Sequence, residues 1–442
     1  MKDKIISNVA YSIFEKIFLI VSQLLSAILI IRLLERTDYG IIGVVVGYYA
    51  FVNIINISLE SIVFRDHKEY ETNLNKYFYN FFIFNLFKIL IFILAAVILF
   101  FYFIRVFNNT FFLYGLISIN LVLFSDMLVA PFVIYASSKF EQKIVTGITM
   151  VRATLNVALL TGLFYFPSLK YIAIKDLLVS ICYCLIWFYV ARKKLDINIF
   201  KVKFIKDLDF SFIKKSLSTY SIWTHFSGVI TNFIYKSDTF FLSFFVGLAT
   251  VGNYTVALSS ANIANTLPSI LGYQNSVALS NAKDEKHANM ISNVFIRFSM
   301  YIGVVTLLGF IFFGKFYLRI IIGADENIDT IYFYMLCIVS GLVIAKTFAS
   351  PLAAFICIRG DVKRMFFSVL IPAAIFTFCC YGLSSYLFKS YGIAIANIIV
   401  STLWIILMLK EIKKYNYTFK GILNGKKDLI SIIDYLKGKG RL

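Results

Sequence analysis

Charge is scarce in this sequence. Asp, Glu, Lys and Arg make up 15% of its 442 residues, where an ordinary soluble domain carries about 25%. Hydrophobic residues reach 60% and aromatic ones 18%, a surplus that has to face lipid. No polar stretch is long enough for a folded soluble domain of ordinary size. A phosphate loop is also missing: Gly421–Lys427 reads G-x-x-x-G-K-K rather than G-x-x-x-x-G-K-[ST], which argues against ATP hydrolysis. The three histidines, His67, His225 and His287, stand far apart without HExxH or Cys/His spacing, so no zinc or other metal site is expected. Cys182, Cys184, Cys337, Cys357, Cys379 and Cys380 all fall inside apolar runs without CxxC spacing, so neither a disulfide framework nor a metal knot is indicated.

What is present is a series of long apolar runs. A spanning helix needs about 20 mostly apolar residues, and hydropathy divides the chain into twelve such runs, at 9–34, 40–63, 77–103, 112–136, 144–166, 170–191, 217–246, 251–280, 290–313, 328–356, 365–388 and 391–409. An all-α integral membrane fold follows. The expected divisions are a six-helix lobe over 1–191, a basic connector over 192–216, a second six-helix lobe over 217–409 and a basic tail over 410–442. The opening Met-Lys-Asp-Lys precedes no small-residue cleavage site, so the first span is read as retained rather than as a signal peptide.

The formal charge of +19 sits in Lys/Arg clusters between the apolar runs, which points to cytoplasmic loops rather than to nucleic acid. With the N-terminus inside, about 29 of the 43 Lys and Arg lie in cytoplasmic segments and about 7 in extracytoplasmic ones. Both termini are therefore expected in the cytoplasm. Within the tail, Ile422, Leu423, Leu429, Ile430, Ile432, Ile433 and Leu436 alternate with lysines, a pattern that suits a surface-lying amphipathic helix or a plain cytoplasmic tail.

An internal repeat is visible. The chain reads Thr37-Asp38-Tyr39-Gly40-Ile41 around Gly40 and Thr250-Val251-Gly252-Asn253-Tyr254 around Gly252, and aligning the two glycines gives an offset of 212, under which Asn53 falls on Asn265. Each half holds six spans, an even number, so both enter the membrane in the same sense, as parallel transporter repeats do. Gly43 and Gly47 add a GxxxG, a signal of close helix packing.

These features carry a family resemblance. Ser7-Asn8 through Arg32-Leu33-Leu34, Asp38-Tyr39-Gly40, Tyr235-Lys236-Ser237-Asp238 and Val251-Gly252-Asn253-Tyr254, in a 6+6 layout, resemble the Wzx-type O-antigen and polysaccharide flippases of the multidrug/oligosaccharidyl-lipid/polysaccharide (MOP) exporter superfamily. The resemblance implies two six-helix lobes around a central cavity. It implies alternating access that moves an undecaprenyl-diphosphate-linked oligosaccharide across a bacterial inner membrane. Membrane lipids and polysaccharide polymerase or assembly proteins would be the other partners.

Seven cations lie inside the spans: Lys16, Lys88, Arg152, Lys175, Lys236, Arg297 and Lys346. Each costs about 2.5–3.5 kcal/mol at mid-bilayer on insertion scales, which argues for a purpose. Lys16, Arg297 and Lys175 are near enough to span ends to snorkel. Lys88, Arg152, Lys236 and Lys346 are closer to mid-span and are the main candidates for meeting a diphosphate or acidic sugars, with Arg297, Asn53 and Asn156 as further substrate contacts. Polar residues recur at helical spacing: Thr149, Arg152 and Asn156; His225, Asn232 and Lys236; Tyr49, Asn53, Asn56 and Glu60; and Asn85 one turn before Lys88. Such stripes face either a watery cavity or a neighbouring helix through hydrogen bonds.

The acids Asp238, Glu60, Asp126 and Glu15 are candidates for taking up H+ or Na+, the only ligand of cofactor type expected; the alternative is that they neutralise nearby lysines, Asp238 being two residues from Lys236. Three other functions share parts of this pattern. A multidrug or cation antiporter would favour acids over bases in its cavity. A lipid II flippase would add helices. A membrane glycosyltransferase or polysaccharide polymerase, the enzyme reading, would need a large extracytoplasmic loop, whereas the longest loop here is cytoplasmic.

Overall fold

The computed structural model describes residues 2–53, 56, 74–139, 141–198, 221–265, 284–323 and 327–419, with 268, 271, 275, 279 and 282. Glu60, most of the connector and the tail beyond Phe419 lie outside them. The described residues are helical almost throughout, as lipid demands: with no water to satisfy backbone polar groups, each apolar run must bond internally. Among the described residues, eight helical runs are long and apolar enough to cross a membrane.

The chain divides into two compact units. Unit 1 comprises Met1–Val229 with Gly247–Gly252, and unit 2 comprises Ile230–Val246 with Asn253–Leu442. In unit 1 the helices are α1 (Lys2–Leu33), α2 (Arg36–Val52), α3 (Leu74–Phe107), α4 (Phe112–Ser138), α5 (Gln142–Leu160) and α6 (Leu169–Lys194). Helix α4 packs on α6, α1 on α5, and α3 on α4. Tyr77, Phe78 and Phe81 of α3 meet Phe132 and Tyr135 of α4 and Tyr183 and Trp187 of α6 in an aromatic core, with the Phe78 and Phe132 rings stacked 5.5 Å apart. The outward faces of α3 and α6 carry bare Leu90, Leu94, Ile98, Phe101, Leu185 and Tyr189, side chains that a bilayer solvates.

The region after α6 departs from the expected continuous span at 217–246. Helix α7 (Ser221–Lys236) stops, and a short α8 (Asp238–Leu242) restarts behind Ser237. The carboxylate of Asp238 accepts the N–H of Thr239 at 2.8 Å, so this side chain serves the backbone at its own helix start. Helix α9 (Leu248–Ala261) runs into a 3-10 turn over Asn262–Asn265. Unit 2 continues with α10 (Glu285–Ile322), α11 (Ile328–Ile344), α12 (Ser350–Arg359), α13 (Val362–Met365) and α14 (Ile371–Ile412). Two π turns interrupt the sequence, Ala345–Ala349 between α11 and α12 and Phe366–Leu370 before α14. Helix α14 reverses at Lys389, whose φ of 51° and ψ of −133° are not helical. A Cβ on Gly392 would stand 2.3 Å from the Ser384 carbonyl oxygen, whereas eight residues of straight helix span about 12 Å. The expected spans 365–388 and 391–409 fall on either side of this reversal.

One contact in unit 1 bears on the repeat. A Cβ on Gly40 would stand 2.1 Å from the carbonyl oxygen of Leu248, and one on Gly252 would stand 2.0 Å from that of Arg36. Both partners are related by the offset of 212 (248 − 36 and 252 − 40). The starts of α2 and α9 thus touch reciprocally, backbone against backbone, a distance only glycine permits.

Candidate functional site

The candidate residues fall into separate groups within the two units. In unit 1, Lys88 is 2% exposed on α3. Its ammonium donates to Oδ1 of Asn56 at 3.3 Å and lies 5.5 Å from the centre of the Phe84 ring. One turn earlier, Asn85 donates to the Met127 carbonyl at 2.7 Å, the interhelical role that the polar stripes allowed. Arg152 on α5 donates to Asp126 on α4 at 2.5 Å and places its guanidinium 4.2 Å over the Tyr183 ring. Asp126 is thereby neutralised by a cation, the alternative foreseen for the acids. Glu15 is buried and accepts from Gln142 at 3.0 Å and Thr146 at 3.1 Å, binding α1 to α5. The backbone of Asn53 closes α2 by donating to the Phe51 and Tyr49 carbonyls. Glu60 lies outside the described residues.

Asn156 is the hinge of a further group. Its Oδ1 accepts from the Lys175 ammonium at 2.8 Å, and its Nδ2 donates to Ser26 Oγ at 3.3 Å. Lys175 also pairs with the adjacent Asp176, to which Ser118 donates. Lys175 does not snorkel: it is 5% exposed and turned into the protein. The expectation failed because proximity to a span end permits snorkelling but does not say which face of the helix meets protein. Apolar residues surround this stretch on both sides in sequence, and its one signal is an acid directly after the lysine.

In unit 2, Asp238 is fully buried. Tyr254 donates to its Oδ2 at 2.8 Å and Asn397 does so at 3.4 Å. Asn397 also donates to Tyr254 Oη at 2.9 Å and accepts from Tyr381 at 3.1 Å. These partners are neutral, and among the described residues no cation lies within ion-pair distance of Asp238. Lys236 is exposed instead, because the helix break at Ser237 separates the two side chains. Tyr254 entered the sequence reading only as the end of the Val251-Gly252-Asn253-Tyr254 motif, and Asn397 and Tyr381 not at all; Asn397, a lone amide within an apolar run, was the available signal.

Lys346 stands inside the π turn Ala345–Ala349, where one extra residue per turn re-aims the side chains that follow, a device frequent at functional sites. Its ammonium lies 5.0 Å over the Tyr235 ring, which in turn meets Trp404 edge-on at 5.3 Å. The Trp404 indole N–H is buried without a hydrogen-bond partner among the described residues. Arg297 is buried on α10, one turn beyond Asn293, which accepts from Tyr417 at 2.8 Å and donates to the Thr418 carbonyl at 2.8 Å. Arg297 therefore belongs with the docking of the segment after α14.

Residues 29–326 match the profile of a family described as polysaccharide biosynthesis protein. The chain belongs to this polysaccharide biosynthesis protein family. The match accords with the resemblance carried by Asp38-Tyr39-Gly40 and Val251-Gly252-Asn253-Tyr254. No curated protein matches the chain in sequence. Among solved structures, the chain is similar to the lipid II flippase MurJ in an inward closed conformation, with a TM-score of 0.65 and 15% identity over 98% of this chain and 93% of that one. It is also similar to an inward-facing multidrug resistance MATE family transporter of the MOP superfamily (TM-score 0.61, 14% identity, 90% and 96% of the two chains). The eukaryotic MATE transporter AtDTX14 gives a TM-score of 0.59 at 11% identity over 96% and 99%. The family member described here is thus a multi-pass membrane protein, helical almost throughout its described residues, with a MATE-like fold.

Proposed function

We propose that this polysaccharide biosynthesis protein is a flippase rather than an enzyme. Its cargo would be an undecaprenyl-diphosphate-linked oligosaccharide repeat unit, carried across the bacterial cytoplasmic membrane by alternating access. Both termini lie in the cytoplasm in this reading, as the basic loops favour. The observation that carries it is Lys346. A cation within an apolar helix, placed by a π turn over Tyr235, has no carboxylate among the described residues within ion-pair distance. Such a group calls for an anion, and a diphosphate supplies one with several acceptor oxygens. Tyr235 holds the ammonium over its ring, with the buried Trp404 packed edge-on against it, and the polyprenyl chain stays in lipid. Asp238 takes the coupling ion, H+ or Na+, because its carboxylate is held by neutral donors that leave its charge uncompensated.

The test is to delete the gene and complement it with wild type, Lys346→Ala and Asp238→Asn. Loss of the wild-type gene should accumulate completed lipid-linked repeat units on the cytoplasmic face and abolish surface polymer, with drug tolerance unchanged. Both variants should insert normally and fail to complement. Normal surface polymer with new sensitivity to cationic drugs would replace this reading with an antiporter.

A further inference from the structure

Lys175 and Asp176 are neighbours on α6, where consecutive side chains point about 100° apart and do not normally meet. Here they form an ion pair whose side chains are 5% and 9% exposed. Two other helices bend the pair together. From α5, Asn156 Oδ1 holds the ammonium at 2.8 Å, and from α4, Ser118 donates to the far oxygen of the carboxylate. Ser26 on α1 fixes the amide of Asn156 at 3.3 Å. Ser118 and Lys175 each lie six residues in from the start of their helix (118 − 112 and 175 − 169), so the cluster is gathered at one depth. A carboxylate, an amide oxygen and two hydroxyls from four helices are hard oxygen donors of the kind that coordinate small metal cations. Two of them, the Asp176 carboxylate and the Asn156 amide oxygen, touch the lysine's own ammonium, and the hydroxyls of Ser118 and Ser26 bond to those two groups rather than to the charge.

We propose that this cluster is a monovalent-cation site whose cation is supplied by the chain itself, and that Lys175 is the residue that keeps Na+ and K+ out of unit 1. Unit 2 makes the contrast. Under the offset of 212, Asp238 falls on Ser26 (238 − 212), and Asn397 lies on the last span of its half, as Lys175 and Asp176 do on theirs. The two carboxylates stand on helices that do not correspond, and among the described residues the one in unit 1 is paired with an ammonium whereas the one in unit 2 is held by neutral donors. A tethered ammonium costs no binding entropy and cannot dissociate, so the unit 1 cluster stays occupied at any external salt. The proposal does not depend on Asp238 carrying the coupling ion.

The experiment uses the purified full-length chain in an Asp238→Asn background, so that unit 2 cannot mask the answer. Thermal unfolding is followed in NaCl, in KCl and in choline chloride at matched ionic strength. With Lys175 intact the midpoint should not distinguish the salts. Lys175→Met, and Lys175→Gln as a second variant that keeps a polar partner for Asp176, should unfold at rising temperature as Na+ or K+ replaces choline. The shift is expected to be several degrees at saturating ion, as a ligand specific to the native state produces. Adding Asp176→Asn should remove it. A variant that folds only in Na+ or K+ supports the proposal equally. A Lys175 variant that folds and ignores the salts, or that fails to fold in all three, overturns it. So does a parent with Lys175 intact that responds to Na+ and loses the response on Asp176→Asn.

Discussion

At the scale of single residues, the cations inside the spans divide by what they touch. Arg152 has its carboxylate in Asp126 at 2.5 Å and its aromatic face in Tyr183, so its charge is spoken for within unit 1. Neutralising either member alone leaves the other without its counter-ion, whereas removing both leaves none. Arg152→Gln and Asp126→Asn should each lower the unfolding midpoint, and the double variant should recover most of the loss. Additive losses in that thermal scan would count against the pair. Lys346 behaves differently because its nearest described partner is a π face. Lys346→Ala is expected to reduce transport at least tenfold with little change in midpoint, while Lys346→Arg keeps a substantial part of the activity. Reconstituted transport set beside a melting curve separates the two effects.

At the scale of helices, close backbone approach decides which glycines tolerate a methyl group. A Cβ on Gly252 would stand only 2.0 Å from the Arg36 carbonyl oxygen, and one on Gly341 of α11 would stand 2.9 Å from the Asn397 carbonyl oxygen of α14. Gly252→Ala should therefore destabilise by about 1–3 kcal/mol through forced separation of packed elements. Gly147 on α5 has nothing within 4 Å of such a Cβ, and Gly147→Ala should be neutral or slightly stabilising, alanine being the better helix former. Equal effects at the two positions, read as midpoints in the same detergent, would remove the contact from the account.

The helices themselves were legible in the sequence because hydropathy over some twenty residues reports directly on spanning. Their interruptions were less so. The two π turns, Ala345–Ala349 and Phe366–Leu370, each end just before a helix start with a proline, Pro351 or Pro372, a signal the sequence did offer, whereas the break at Ser237 lies in sequence with no proline or glycine beside it. The same limit explains the site. Lys346 stood out as a charge in an apolar run, whereas Tyr254 and Asn397 gain their meaning only from meeting Asp238 across helices. Asp238 seemed tied to Lys236 by spacing, yet residues two apart diverge on a helix, and the restart at Asp238 parts them further.

At the scale of the whole molecule, the basic clusters predict an orientation that fusion reporters can check. A cytoplasmic reporter should be active at the C-terminus and inactive after Phe107 or Phe166, in the expected extracytoplasmic loops. Activity in the opposite places would reverse every statement about sidedness, including the direction of transport. Each unit has its own aromatic packing and its own buried polar cluster, so loss of the Lys175 group and loss of the Asp238 group should have separable consequences for folding and for transport.

The reciprocal contact between Gly40 and Gly252 has a consequence for descent. Because residue 36 touches 252 and residue 40 touches 248 at one constant offset, the two copies of the turn meet as two identical chains meet across a two-fold axis. A side chain acquired in either copy would push against the backbone of the other, and no second change in that partner's side chains makes room for it. At this pair of positions the two copies remain, in effect, one inherited character: across relatives, both residues should be small together or the crossing should be gone.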